Sequence, residues 1–144
     1  MSTRVSTVRW RGSLVGGSGS IELTSSGQAS FDYSLATRAS DQASTTSPEE
    51  LLAAAYASCY AMQLAALIDP GPDEAPDLHV EVVVTQGGPE VDFGIADIAL
   101  IVRGRGVDRT DEQFVDLART ASSMCPIGRA LSAVKISVDA ALNA

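Results

Sequence analysis

The chain has 144 residues, of which 45% are hydrophobic and 19% are charged, and these proportions exclude a disordered or a fibrous protein. Its length suits one domain of ordinary size, so we expect residues 1–144 to form a single folding unit. Ten basic and eighteen acidic side chains give a net charge of −8, which opposes binding to nucleic acid or to an anionic membrane surface.

The first third of the chain predicts three strands joined by tight turns. Alternation of apolar and polar residues identifies the strands, and the GGSGS segment at 16–20 supplies a turn between the first two. The third strand would place Phe31, Tyr33 and Leu35 on one face. We therefore expect an antiparallel meander with one solvated face. Its strands are predicted at residues 4–10, 21–24 and 29–38.

A long helix is predicted after the polar loop 39–46. The sequence SPEE at 47–50 supplies an N-cap serine, a proline at the first helical position and the glutamate of a capping box. The body of the helix, residues 51–68, is apolar almost all round. Its length approaches that of a membrane span, but a serine and a glutamine interrupt it and alanine dominates it. A buried core helix is therefore the better interpretation.

The second half of the chain predicts a hairpin, two helices and a closing strand. An acidic, proline-rich loop at 69–77 ends the long helix, and two β-branched segments follow it. Thr110 and Gln113 form a capping box for the next helix, and Pro126 ends that helix and begins a short one. The predicted ranges are 78–86 and 95–104 for the hairpin strands, 110–124 and 126–131 for the helices, and 133–142 for the last strand.

This order of elements predicts an α+β fold in which antiparallel sheets cover one long, central, apolar helix. A helix of this length is about 30 Å long, and the rest of a 144-residue chain cannot easily cover all its faces. Pairing two such helices across a symmetric interface would bury the remainder, so we expect a homodimer. The amino terminus lacks the apolar core of a signal peptide, so we expect the protein to be cytoplasmic.

The chain contains two cysteines, Cys59 and Cys125, and no CxxC pair. A structural disulfide is not expected in a reducing compartment, so the two thiols are either incidental or catalytic. Cys59 lies too far along its helix to benefit from the helix dipole, and a nucleophilic thiol there would need a cation such as Arg38, His79 or Arg129. On composition alone, a small buried core residue is the commoner role of such a cysteine.

No metal or other cofactor is expected. One histidine and two thiols cannot complete a tetrahedral zinc site. A pair of thiols suffices for peroxide reduction, because one can be oxidised to a sulfenic acid and the other can condense with it. The sequence therefore leaves redox chemistry at the two sulfurs as the main catalytic hypothesis.

Two segments carry a family resemblance: SPEELLAAAYASCYAMQL at 47–64 and MCPIGRAL at 124–131. The first resembles the Pro-Glu-Glu/Gln-Leu segment that leads to the reactive cysteine of the OsmC/Ohr family, the osmotically induced and organic-hydroperoxide-resistance thiol peroxidases. The second resembles the second-cysteine motif of that family. The strand order and the length also match, so the resemblance spans nearly the whole chain and favours the OsmC-type branch.

The resemblance implies an intertwined homodimer with two sites at the interface, in which Cys59 is the peroxidatic thiol and Cys125 the resolving thiol. It implies that Arg38 activates Cys59 and that Glu49 holds Arg38. Arg11 is a weaker match to the arginine of the Ohr-type branch. The implied activity is reduction of organic hydroperoxides, and less efficiently of hydrogen peroxide, with an external lipoyl-type dithiol as reductant. A non-catalytic redox sensor or an apolar-ligand-binding dimer of the same fold is the alternative.

The spacing within the long helix adds a constraint. Ten residues separate Glu49 from Cys59, which corresponds to about 15 Å along a straight helix. One extended arginine cannot easily bridge that distance. We therefore predict that the Glu49–Arg38 pair serving one Cys59 comes at least partly from the other subunit.

Overall fold

The structure, a computed structural model, describes residues 1–71 and 73–143. The chain forms two compact units, Met1–Leu51 and Leu52–Ala144, and each contains a three-stranded sheet. This mixture of two small sheets with helices confirms the predicted α+β class. The single domain expected for residues 1–144 stays a prediction. Pro72, within the predicted loop 69–77, and the terminal Ala144 lie outside the described residues.

The first unit contains the predicted antiparallel meander, in the order β1–β2–β3. The turn between its first two strands lies earlier than predicted, because Ser18 to Ser20 of the GGSGS segment pair with Arg11 to Arg9 of the neighbouring strand. Gly19 is needed for packing: a Cβ there would lie 2.4 Å from the Tyr33 ring. The strands are β1 (Thr7–Arg11), β2 (Ser18–Glu22) and β3 (Ser30–Tyr33).

The predicted third strand is too long, because its last four residues form a short helix, α1 (Leu35–Arg38). Ser34 and Thr37 make a capping box at its start. The Ser34 hydroxyl accepts the Thr37 backbone N–H at 3.2 Å, and the Thr37 hydroxyl accepts the Ser34 backbone N–H at 3.1 Å. These two bonds satisfy backbone donors locally, which favours the helical turn over a continued strand. Arg38 consequently lies at the end of α1.

The long helix α2 (Pro48–Ile68) begins where the sequence predicts. The Ser47 hydroxyl accepts the backbone N–H of Glu50 at 3.1 Å, as an N-cap residue should. The Glu50 carboxylate accepts a hydrogen bond from the Thr46 hydroxyl at 2.6 Å, which differs from the predicted capping box. Length and hydropathy would also suit α2 to cross a membrane. It nevertheless contributes a buried stripe to the core of the second unit: Tyr56, Tyr60, Leu64 and Ile68.

The sheet of the second unit has the order β4–β5–β6. Its first two strands form the predicted antiparallel hairpin, but β6 runs parallel to β5, which corrects the prediction of purely antiparallel sheets. Parallel neighbours require a crossover connection, and the two helices between β5 and β6 provide it. The strands are β4 (Asp77–Gln86), β5 (Ile95–Arg105) and β6 (Lys135–Leu142), with a 3-10 turn at Pro89–Val91.

The crossover consists of two helices that the sequence predicts, α3 (Asp111–Met124) and α4 (Pro126–Ala130). Both halves of the Thr110–Gln113 capping box are present, at 3.2 and 2.9 Å. Cys125 links the two helices, with Pro126 at the first position of α4. Cys125 is part of the buried core of the second unit. The members of that core are Tyr56, Tyr60, Leu64, Ile68, Ile98, Leu100, Val102, Phe114, Ala121 and Cys125.

Candidate active site

The two cysteine side chains meet in the second unit. The Cys125 thiol donates a hydrogen bond to the sulfur of Cys59, and the two Sγ atoms are 3.0 Å apart. Both thiols are free; Cys125 is buried and Cys59 is partly exposed. Because the sulfurs of a disulfide lie about 2.05 Å apart, they need to approach by only about 1 Å. The arrangement is therefore suited to oxidation of the pair to a disulfide.

The surroundings of the two sulfurs are unequal. Burial raises the pKa of the Cys125 thiol, and its hydrogen bond to Cys59 raises it further. The backbone N–H groups of Ile127 and Gly128 act in the opposite direction, as expected from the position of Cys125 before α4, but burial outweighs them. Cys125 is therefore a protonated donor at neutral pH. Cys59 is the sulfur that an external molecule can reach.

Two tyrosines attach the helix of Cys59 to the helix that precedes Cys125. The hydroxyl oxygen of Tyr56 lies 3.0 Å from that of Ser122, and the Tyr60 hydroxyl donates to the carbonyl oxygen of Ala118 at 2.8 Å. The two rings are perpendicular, with centroids 6.4 Å apart. Burial raises the pKa of both phenols, so both stay protonated at neutral pH. These contacts fix the position of α2 along α3, and with it the meeting of the sulfurs.

Gly128 allows the chain after Cys125 to pack closely on Tyr56. A Cβ at this position would lie 2.6 Å from the Ser122 carbonyl oxygen and 2.7 Å from the Tyr56 hydroxyl. Sequence reasoning did not assign a role to Gly128, Ser122 or the Tyr56 hydroxyl. The sequence did contain one signal for Tyr56: it lies three residues before Cys59, so the two side chains share one face of a helix.

The first unit contains the other two candidate residues. Arg38, at the end of α1, and Glu49, in the first turn of α2, form a salt bridge. The Arg38 Nε donates to one carboxylate oxygen at 3.0 Å, and Nη2 donates to the other. The hydrogen bonds from Arg38 lower the pKa of Glu49, and the same pairing raises the pKa of Arg38. The two residues are thus paired and charged; their part in catalysis stays a prediction.

An apolar cavity of about 320 Å³ adjoins Arg38 within the first unit. The rings of Trp10 and Tyr33, with centroids 5.5 Å apart, and the side chains of Leu14 and Leu35 supply most of its wall. The Arg38 side chain remains 32% exposed although its guanidinium is paired with Glu49. This cavity can accept an apolar group beside a fixed positive charge.

The remaining candidates lie elsewhere in the two units. Arg11 ends β1, Arg129 lies in α4, and His79 is an exposed residue of β4, as predicted for a strand position. Neither Arg11 nor Arg129 has a carboxylate partner among residues 1–71 and 73–143. A search of the same residues finds no group of three or more His, Cys, Asp or Glu side chains that could hold a metal ion.

The fold and the thiol pair define an α+β protein in which a long helix and the junction of two shorter helices bring two free cysteines together. The family model described as "OsmC-like protein" matches residues 40–139, more than half of the chain. The chain therefore belongs to the OsmC-like protein family, which confirms the resemblance seen in its motifs.

Individual relatives agree with this assignment. The chain is 27% identical to the peroxiredoxin OsmC of Escherichia coli K12 over 132 residues, 90% of each sequence. The organic hydroperoxide resistance protein OhrB of Bacillus subtilis matches with a TM-score of 0.61 and 24% identity, over 96% of this chain and 98% of that one. An organic hydroperoxide resistance protein of Elizabethkingia anophelis matches with a TM-score of 0.71 and 19% identity, over 99% and 98%. These structures confirm the fold.

Proposed function

We propose that this protein is a cysteine-based peroxidase that reduces organic hydroperoxides. The observation that carries the proposal is the 3.0 Å separation of the two sulfurs, with Cys59 accessible and Cys125 buried. The peroxiredoxin OsmC and the hydroperoxide resistance proteins among its relatives support the same activity. Cytoplasmic localisation fits the proposal, because both thiols must be returned to the reduced state after each cycle.

In the first step the Cys59 thiolate attacks the distal oxygen of the hydroperoxide. The S–O bond forms as the O–O bond breaks, and the departing alkoxide takes a proton to leave as the alcohol. Cys59 becomes a sulfenic acid and the peroxide is reduced by two electrons. The partial exposure of Cys59 supports its role as the attacking sulfur.

In the second step Cys125 attacks the sulfur of the Cys59 sulfenic acid. The Cys59–Cys125 bond forms, and the hydroxyl leaves as water with the proton of the Cys125 thiol. The short distance between the sulfurs supports this closure. An external dithiol then reduces the disulfide by thiol–disulfide exchange. The family resemblance points to a dithiol of the lipoyl type.

Arg38 is the residue that we propose to stabilise both the Cys59 thiolate and the developing alkoxide, with Glu49 as its positioning partner. Their salt bridge supports this, because it keeps the guanidinium in one place while the Arg38 side chain stays partly exposed. The apolar cavity beside Arg38 favours organic hydroperoxides over hydrogen peroxide, since its wall offers burial to an apolar substituent. The working form is proposed to be a homodimer.

One assay tests the activity. Peroxide consumption is measured with cumene hydroperoxide and dithiothreitol for wild type, Cys59→Ser, Cys125→Ser and Arg38→Gln, with Arg11→Gln and Arg129→Gln as charge-matched controls. We expect Cys59→Ser to be inactive and Arg38→Gln to lose at least about 100-fold, the scale of a lost charge-stabilising group, while both control variants keep their rates. Formation of the disulfide without turnover would indicate a redox sensor, and two unreactive thiols would indicate a ligand-binding dimer.

A mixed dimer tests the contribution of the second subunit. One chain carries Cys59→Ser and the other carries Glu49→Ala, so that each homodimer lacks an essential group. If Glu49 serves the partner's thiol, the heterodimer regains one complete site and about half of the wild-type activity. An inactive heterodimer would show that each Glu49 acts on the thiol of its own chain.

A further inference from the structure

A cavity of about 590 Å³ opens on the second unit beside α3, α4 and β6. Its volume lies within the range of small-molecule sites, about 300 to 1,000 Å³. Neither cysteine lines it, and the peroxidase chemistry proposed above makes no use of it. Its lining instead combines two kinds of chemistry, positive charge and an apolar wall.

The first kind is positive charge. Arg119 of α3 and Arg129 of α4 both line the cavity, and both are exposed. Within the described part of the chain neither has a carboxylate within salt-bridge distance, whereas Arg38 and Arg103 each have one. The chain has eight more acidic than basic side chains, so two uncompensated guanidinium groups at one cavity are a local reversal of its charge. Guanidinium groups match carboxylates and phosphates in shape as well as in charge.

Hydroxyl groups extend the polar part of the lining. Ser123 uses its proton on the Thr120 carbonyl oxygen, and Ser122 is paired with Tyr56. The Ser132 hydroxyl also lines the cavity and makes no hydrogen bond to any described residue, so its O–H is available. The cavity therefore offers donors for an anionic oxygen from two arginines and one serine.

The second kind of chemistry is apolar. Val134, which directly precedes β6, and Ile136 and Val138 within β6 follow one another at every second residue and contribute an apolar wall. A simple inorganic anion would gain nothing from this wall, and an uncharged apolar molecule would leave both guanidinium groups unused. We propose that the cavity binds an amphiphilic anion, with one carboxylate or phosphate head group held by Arg119 and Arg129 and a short alkyl tail against the β6 side chains.

Binding by the full-length protein tests the proposal, measured by isothermal titration calorimetry with four probes: octanoate, octyl phosphate, inorganic phosphate and octanol. We expect at least one of the two amphiphilic anions to bind at least tenfold more tightly than inorganic phosphate and octanol. Which of the two binds more tightly identifies the head group. Affinity should fall by at least tenfold from octanoate to butyrate if the carboxylate is preferred, or from octyl to butyl phosphate if the phosphate is preferred, because the shorter tail buries fewer methylene groups.

Variants connect the binding to the cavity. Arg119→Gln and Arg129→Gln should each weaken binding at least tenfold, and Arg4→Gln, an exposed arginine of the first unit, should leave it unchanged. All three arginines are exposed, so urea unfolding should confirm equal stability. Absence of binding by either amphiphilic anion would overturn the proposal, as would octanol binding as tightly as the preferred anion or unchanged affinity in the Arg119→Gln, Arg129→Gln double variant. The readout is independent of peroxidase activity, so the two proposals can fail separately.

Discussion

Removal of one hydroxyl group, in Tyr56→Phe, should slow the closure of the Cys59–Cys125 disulfide. The Tyr56 hydroxyl pairs with Ser122, three residues before Cys125, and also lies against Gly128, three residues after it. It therefore restrains the chain on both sides of the buried thiol. Once Cys59 has reacted, the Sγ–Sγ hydrogen bond is gone, and this restraint helps to keep Cys125 within reach of Cys59.

The size of the effect follows from the bond that is lost. A neutral hydrogen bond in a protein contributes about 0.5 to 1.5 kcal/mol net. If the Tyr56–Ser122 bond is present when the sulfurs are adjacent and absent when they separate, its loss shifts that equilibrium by about 1 kcal/mol. Because about 1.4 kcal/mol corresponds to a factor of ten, the closure should slow by up to about fivefold.

Ellman's reagent measures closure without any peroxide. Cys59 attacks the aromatic disulfide and releases one coloured thiolate, leaving a mixed disulfide on Cys59. Cys125 then attacks the Cys59 sulfur, forms the protein disulfide and releases a second thiolate. Stopped-flow absorbance therefore resolves two phases, and only the second, which does not depend on reagent concentration, should slow in Tyr56→Phe.

Tyr60→Phe is the matched control. It removes the same group from the next turn of α2, but its partner is Ala118, seven residues before Cys125. Both variants should lower the free energy of unfolding by about 1 kcal/mol, and only Tyr56→Phe should slow closure. Equal slowing in the two variants, or an unchanged second phase in Tyr56→Phe, would refute the reasoning.

Four further substitutions, one of them a control, test other contacts. Gly128→Ala should lower the free energy of urea unfolding by about 1 to 3 kcal/mol, because its Cβ would lie 2.6 Å from a backbone carbonyl oxygen. Gly71→Ala is the control. Its Cβ would lie 3.6 Å from its nearest neighbour, a Glu74 carboxylate oxygen, so the free energy of unfolding should change by less than about 0.5 kcal/mol. The hydrogen bonds from Arg38 lower the pKa of Glu49 in the folded state. Its contribution, about 1 kcal/mol for a partly exposed pair, is therefore present above the unfolded pKa of about 4.3 and is lost as the pH falls through the folded pKa. Urea unfolding of wild type and Glu49→Gln should differ at pH 7 and converge once the pH is below the folded pKa of Glu49. Cys125→Ser should release one coloured thiolate per chain from Ellman's reagent, against two for wild type.

The order of the elements was predictable from the sequence because the residues that begin and end helices act within one turn. Ser47, Thr110 and Pro126 each satisfy or remove backbone donors within one turn, and they mark helix starts that the structure confirms. Leu35–Arg38 was mispredicted for the same kind of reason. The alternation of apolar and polar residues in this segment predicts a continued strand. The capping box of Ser34 and Thr37 favours a helical turn instead, but it involves only two residues and is easily overlooked within the alternating pattern.

Features that depend on residues far apart in the sequence were harder to predict. The parallel pairing of β6 with β5 depends on how α3 and α4 return the chain, and apolar alternation in a strand is the same for either direction. The meeting of the two sulfurs was implied by the motif of the family, not by the spacing of 66 residues between them. The pKa of Cys125 is raised mainly by burial, which the sequence did not reveal. The position of Cys125 before a helix indicated only the backbone N–H groups, whose effect lowers the pKa and is weaker.

The salt bridge strengthens the case for a second subunit in catalysis. Arg38 donates to both carboxylate oxygens of Glu49, so its guanidinium can move away only by giving up these charge-assisted bonds. Glu49 and Cys59 belong to one continuous helix, and ten residues of that helix rise about 15 Å. Glu49 therefore lies about three turns of this helix before Cys59. If Arg38 stabilises a Cys59 thiolate while it remains paired with Glu49, we predict that this thiolate belongs to the partner subunit.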